Sequence, residues 1–153
     1  MELDQRSHVE PECNKVKLEL DRAIRRFMSE FELPDEMNIY DFLVLSLTSK
    51  DLIATLNWDP FLVQAMQKVS RFVNKDNLPQ VAFLHGNVAV GFCEQDMIVG
   101  AIGGTCINNH ELKPVTLLYP VRDKDYTSDP AIAAFWREFN NALERAYDYH
   151  IWV

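Results

Sequence analysis

The nine residues from Leu52 to Pro60 constrain the fold more than any other stretch of this 153-residue chain. Leu52-Ile53-Ala54-Thr55-Leu56 is a short apolar run without polar alternation, the pattern of a strand buried on both faces. Asn57-Trp58-Asp59-Pro60 follows at once, and Asp before Pro is a helix start, with Asp59 expected at the N-cap and Pro60 at the first helical position. Leu62, Ala65, Met66, Val69, Phe72 and Val73 then recur on one helical face. The order is strand, very short loop, helix.

The rest of the chain supplies partners for that unit. Val16, Leu20, Ala23, Ile24, Phe27, Met28 and Phe31 follow helical spacing, and Pro34 closes the helix. Ile39 to Leu47 favours a short helix. Val81-Ala82-Phe83-Leu84 is a second buried-type strand, ending at His85-Gly86. Asn87–Cys93 and Met97–Ile102 flank Glu94-Gln95-Asp96 as a hairpin. Val115–Tyr119 is a further strand candidate, and Ser128-Asp129-Pro130 starts a helix carried by Ile132, Phe135, Trp136, Phe139, Leu143, Ala146 and Tyr147. His150–Val153 begins a strand-like run. Alternating strands and helices imply an α/β fold: a partial doubly wound, Rossmann-like parallel sheet, with 86–114 as a small insertion. Residues 1–10 are polar and expected to be flexible, leaving 11–153 as a single domain.

Charge narrows the partners. The formal net charge is −8, the wrong sign for a phosphate-backbone footprint, so no nucleic acid is expected. No uncharged apolar run is long enough for a membrane span. Three cysteines, Cys13, Cys93 and Cys106, cannot make a disulfide framework, and the acidic N-terminus lacks the order of a signal peptide, so a cytoplasmic location is expected. Cys93, Cys106 and His110 are plausible metal ligands, but there is no C-x-x-C pair and a structural zinc site normally takes four. Buried thiols and a loop histidine are therefore expected, with no metal.

Ligands in open α/β sheets bind beyond the carboxyl ends of the strands. Two strands end in capable groups, Thr55-Leu56-Asn57-Trp58-Asp59 and Leu84-His85-Gly86, and parallel strands would bring them to one edge. Each residue also has a purely structural reading. Asp59 caps a helix, Asn57 satisfies loop backbone groups, His85 sits in a turn before glycine, and Trp58 packs.

TLNWD followed by LHG resembles the paired signatures of sirtuin-like NAD-binding domains, a strand ending in Thr-x-Asn-x-Asp and a strand ending in His-Gly. The resemblance runs from about Lys50 to Tyr126 and includes the LLYP-V-x-x-K-x-Y pattern of Leu117 to Tyr126. It implies cleavage of the nicotinamide–ribose bond of NAD, by hydrolysis rather than protein deacylation, of the kind found in bacterial antiphage defence. Asn57 would help place the attacking water at the ribose, Asp59 would orient the nicotinamide side, and His85 would act as general base. Thr55, Asn57, Asp59, His85 and Gly86 would contact NAD. An oxocarbenium-like centre needs oriented polar groups and a base of near-neutral pKa, which suits this casting.

The family's Gly-Ala-Gly-x-Ser phosphate loop has no counterpart before Leu52, and the chain stops where a later Gly-x-Ser segment would begin. Gly100–Gly104 has the wrong spacing to replace it and reads as turn. The domain is therefore expected to be incomplete at both ends, inactive alone, and completed by a further segment of a larger protein. The alternative is a non-catalytic module that binds a nucleotide or a protein partner.

Overall fold

The structure, a computed structural model, describes residues 9–120 and 124–150. The polar stretch up to residue 8 and the run Ile151–Val153 lie outside them. The elements are α1 (Val9–Ser29), α2 (Ile39–Leu45), β1 (Leu52–Thr55), α3 (Phe61–Val69), a 3₁₀ turn (Lys75–Asn77), β2 (Gln80–Phe83), β3 (Val90–Cys93), β4 (Ile98–Ala101), β5 (Lys113–Pro114) and α4 (Pro130–Arg145).

The protein is mixed α/β. β1 and β2 pair in parallel, Leu52 opposite Gln80 through Thr55 opposite Phe83, with α3 as the crossover. The parallel sheet does not extend beyond this pair among the described residues, so the expected doubly wound sheet is not seen there. β4, β3 and β5 form a separate antiparallel sheet, with the expected hairpin turning through Glu94–Met97. Val115–Tyr119 is not a strand. Its backbone is satisfied piecemeal instead: Val115 N–H donates to Val90 O at 3.2 Å and Leu118 N–H to His85 O at 2.9 Å. This segment therefore links both sheets without joining either ladder.

The main core lies between the parallel pair, α2, α3 and α4. It contains Val44, Leu62, Ala65, Val69, Ala82, Phe83, Ile132 and Phe135, with the rings of Phe83 and Phe135 edge to face at 5.9 Å. Burying such side chains stabilises by about 1.5–3 kcal/mol each. The first helix starts earlier and ends sooner than its apolar pattern suggests, since Ser29 is its last residue. Gln64 on α3 explains how the chain leaves it: its amide accepts from Leu33 N–H at 2.8 Å and donates to Phe31 O at 2.7 Å, replacing helical partners with tertiary ones.

The helix starts separate into two kinds. Asp129 is an N-cap, its carboxylate accepting from Ala131 N–H and Ile132 N–H, with Pro130 just inside the helix. The expected cap at Asp59 shifts by one residue. Pro60 holds the cap position and the Asp59 carboxylate accepts only from Phe61 N–H, at 3.1 Å. Pro60, at φ −82°, ψ −2°, is the cap residue and its carbonyl accepts the first helical bond, from Gln64 N–H at 2.9 Å, so Asp59 sits one step further out than a cap.

Candidate functional site

The carboxyl ends of β1 and β2 lie at the same end of the parallel pair. Leu84 N–H continues the pairing to Thr55 O at 2.9 Å, so the residues that follow each strand emerge side by side. Two cross-links hold these exits together. The indole N–H of Trp58 donates to His85 O at 3.1 Å, and Val88 N–H donates to Trp58 O at 2.9 Å. Trp58 also packs edge to face on Tyr119 at 5.3 Å, which supports its packing role.

His85 is half-buried. Its ring is nearly parallel to that of Tyr126 at 6.2 Å, and Tyr126 meets Trp136 edge to face at 4.9 Å. Trp136 is fixed in turn by its indole N–H, which donates to Leu84 O at 3.0 Å. Lys124 Nζ lies 3.4 Å from His85 Nε2. A lysine only donates, so Nε2 is the acceptor and the neutral ring carries its proton on Nδ1. Burial, and then the neighbouring charge of Lys124, depress the His85 pKa below its ordinary value. Both causes favour the neutral imidazole, the form a base requires.

The other expected residues divide. Thr55 Oγ1 accepts from Asn57 N–H at 3.1 Å, so its hydroxyl shapes the strand exit. Asn57 is exposed. Gly86 has φ +81°, and a Cβ there would meet Thr116 O at 2.1 Å. Its glycine is required by the close passage of Thr116, a structural reason independent of any ligand.

Three contributors escape a reading based on strand ends. Asn87 is fully buried; its amide donates to Asp59 O at 2.6 Å and accepts from Ala89 N–H at 2.9 Å, joining the two exits. Lys124 and Trp136 arrive from later in the chain. The signal for Asn87 was its place after His-Gly, where a short polar side chain commonly satisfies turn backbone.

A cleft of about 500 Å³ lined by Tyr126, Thr127, Ala133, Trp136, Arg137, Asn140 and Asn141 adjoins His85 through Tyr126. Its size fits a small ligand. A second cavity of about 330 Å³, lined by residues that include Thr48, Ser49, Asn77 and Leu78, lies before β1 and β2 begin, at the end opposite the strand exits.

A separate cluster forms on the antiparallel sheet. One ligand-capable atom each from Cys93, Asp96, Cys106 and His110 lies within 4.8 Å of all the others. Asp96 is the residue that a count of cysteines and histidines omits. Asp96 Oδ2 is 2.7 Å from Cys106 Sγ, 3.0 Å from His110 Nδ1 and 3.5 Å from Cys93 Sγ. The hydrogen bond from the Cys106 thiol, then those from His110 and Asn108, hold the Asp96 carboxyl well below the usual carboxylate range. Burial, and then Asp96, raise the Cys106 pKa. The sequence signal was C-x-x-D followed by C-x-x-x-H, with a carboxylate where a second thiol is usually sought.

Among the described residues, no helix is long and apolar enough to cross a membrane. No family model matches the chain, and no curated protein or solved structure matches it at a significant level.

Proposed function

We propose that the carboxyl-end edge of β1 and β2 binds NAD and that Asn57 and His85 support hydrolysis of its nicotinamide–ribose bond. The observation that carries this reading is the placement of His85 beside Lys124, at the same end of the parallel pair as Asn57. Lys124 and the exposed Arg137 offer cations to a pyrophosphate, and Tyr126 and Trp136 offer rings to a base. Phosphate drawing Lys124 away would free His85 Nε2 to take a proton from water or a ribose hydroxyl. Asn57 would orient that water. The reading carries with it a doubly wound sheet, of which β1-α3-β2 would be one unit, completed by a further segment that supplies a phosphate loop.

The test is calorimetric titration with NAD and ADP-ribose, together with chromatography for released nicotinamide, on the protein that includes the segment supplying the phosphate loop. Binding that weakens at least tenfold in Lys124→Met, with turnover abolished in His85→Ala and in Asn57→Ala, supports the reading. Absence of NAD binding overturns it. Binding without turnover points to the non-catalytic module. That second reading is favoured by Ile39, Phe42 and Leu45 on α2, which together with Phe72 are exposed apolar side chains suited to a protein partner.

A further inference from the structure

We propose that Cys93, Asp96, Cys106 and His110 bind one zinc ion that staples the loop after β4 to the β3–β4 hairpin. Cys93 is the last residue of β3, and the turn Glu94–Met97 brings Asp96 back beside it. The second pair comes from a tight loop in which Asn109 N–H donates to Cys106 O at 3.0 Å and Cys106 N–H to His110 O at 2.9 Å. The two pairs lie far apart along the loop but converge on one point.

The separations suit a tetrahedral ion. Bonds of about 2.0–2.3 Å to oxygen, nitrogen and sulfur set ligand atoms roughly 3.3–3.8 Å apart. Cys93 Sγ to Asp96 Oδ2 is 3.5 Å and Cys93 Sγ to His110 Nδ1 is 3.9 Å, while Asp96 Oδ2 to His110 Nδ1 is 3.0 Å. Of these four separations, Asp96 Oδ2 to Cys106 Sγ, at 2.7 Å, is the one that must open by more than half an ångström, and all six pairs lie within 4.8 Å. Two thiols and an imidazole select zinc over magnesium or calcium, which prefer all-oxygen sets.

The surroundings act as a metal site's outer shell does. Asn108 Nδ2 donates to Asp96 Oδ1 at 2.6 Å, occupying one carboxylate oxygen and leaving Oδ2 toward the cluster. His110 N–H donates to Cys106 Sγ at 3.2 Å, a bond that favours thiolate. Met97 and Asn109 hold φ of +53° and +60°, and each adjoins a ligand. Asparagine adopts this region readily, so the strain lies chiefly at Met97, next to the ligand Asp96.

The local core has a need for such a staple. Around the cluster the buried apolar residues are Cys93, Cys106 and Leu112, with Ile98 packed against them. Two of these three are the thiols themselves. Val90 and Phe92 tie β3 to the main core, but this end of the lobe has little carbon of its own and would gain from a further cross-link. It also matters to the rest of the protein, because the chain leaving Leu112 continues to Val115 and Leu118, whose amides bond Val90 and His85.

The experiment uses the full chain purified anaerobically with reductant, followed by elemental analysis and cobalt substitution. One equivalent of zinc is expected, with a tetrahedral Co²⁺ visible spectrum and a thiolate-to-cobalt band. Cys106→Ser and Asp96→Ala should each fall at least tenfold in occupancy, while Cys13→Ser keeps the full equivalent. Chelation should lower Tm by ~5 °C or more and one equivalent of zinc should restore it, a readout that does not require the variants to fold. Wild-type protein that stays below about a tenth of an equivalent after incubation with zinc, with unchanged Tm, overturns the proposal. So does an anaerobic Cys93–Cys106 disulfide found by mass spectrometry.

Discussion

Lys124 Nζ faces His85 Nε2 across 3.4 Å, which sets a cation against the one side chain of the strand exits that can take up a proton near neutral pH. Burial is the larger cause of the lowered His85 pKa and Lys124 the smaller. Lys124→Met should therefore raise the His85 pKa, measured by NMR titration of the ring protons, without returning it to about 6.5. The linkage has a definite sign. The unfolded chain binds the His85 proton more readily than the folded one, so this contribution is intact above about pH 6.5 and is lost as pH falls toward the folded value. Denaturant titrations between pH 7 and 5 should show that loss in wild type and less of it in Lys124→Met.

A buried ion pair governs stability on the other side of α3. Asp41 is fully buried and its carboxylate is 2.8 Å from Lys68 Nζ, which also donates to Pro34 O and Glu36 O. Burial disfavours the charge, but the bonds from Lys68 and Asn38 outweigh it and hold the Asp41 pKa below its ordinary value. Lys68→Met leaves that carboxylate unpaired and should cost about 3–5 kcal/mol in urea denaturation at pH 7. Because the folded pKa is depressed, the stabilisation is present above the unfolded value of about 4 and disappears as pH falls through the folded one. The cost of Lys68→Met should accordingly shrink at pH 3.

The two Asp-Pro steps give a controlled comparison. Asp129→Ala removes an acceptor shared by two helix N–H groups and should destabilise by roughly 1–2 kcal/mol. Asp59→Ala removes one, to Phe61, and should cost about 0.5–1 kcal/mol. Equal losses in chemical denaturation would show that Asp59 also caps α3.

The β1-α3-β2 unit was legible because strand burial, the Asp-Pro step and helical periodicity agree over Leu52 to Leu84. The missing breadth of the sheet was not. Val115-Thr116-Leu117-Leu118 has strand composition, yet Val115 and Leu117 are buried without ladder pairing, and composition cannot distinguish the two. That the chain after Thr55 and after Phe83 emerges at one end was legible in the sequence, but the approach of Lys124 and Trp136 to His85 was not, because it depends on the path after Leu118. Asp96 was missed because a carboxylate in a polar turn looks solvated until Cys106 and His110 fold over it.

Gly86 and Gly103 separate strain from collision. Both have positive φ, +81° and +73°, but a Cβ at Gly103 meets nothing within 4 Å whereas one at Gly86 strikes Thr116 O. Gly103→Ala should cost about 1 kcal/mol, and Gly86→Ala at least 2–3 kcal/mol, from the same left-handed strain plus displacement of the Thr116 backbone. Thermal melts of the two variants measure the difference directly.

Asn87 carries the last test, because one buried side chain joins both strand exits. Its Nδ2 donates to Asp59 O and its Oδ1 accepts from Ala89 N–H. Asn87→Ala leaves two backbone groups unpaired in a water-poor place and should destabilise by about 2–4 kcal/mol. Asn87→Asp keeps the acceptor for Ala89 and loses the donor to Asp59, so it isolates the link between the exits. It also sets a carboxylate against a carbonyl oxygen, and it should push Asp59 away from the His85 turn. Hydrogen exchange reads this locally: the Val88 amide, bonded to Trp58 O, should lose protection in both variants, and the Ala89 amide in Asn87→Ala alone. If Val88 stays protected in Asn87→Asp while Ala89 opens in Asn87→Ala, the exits are held by the Trp58 indole and backbone contacts, and Asn87 serves only its own turn.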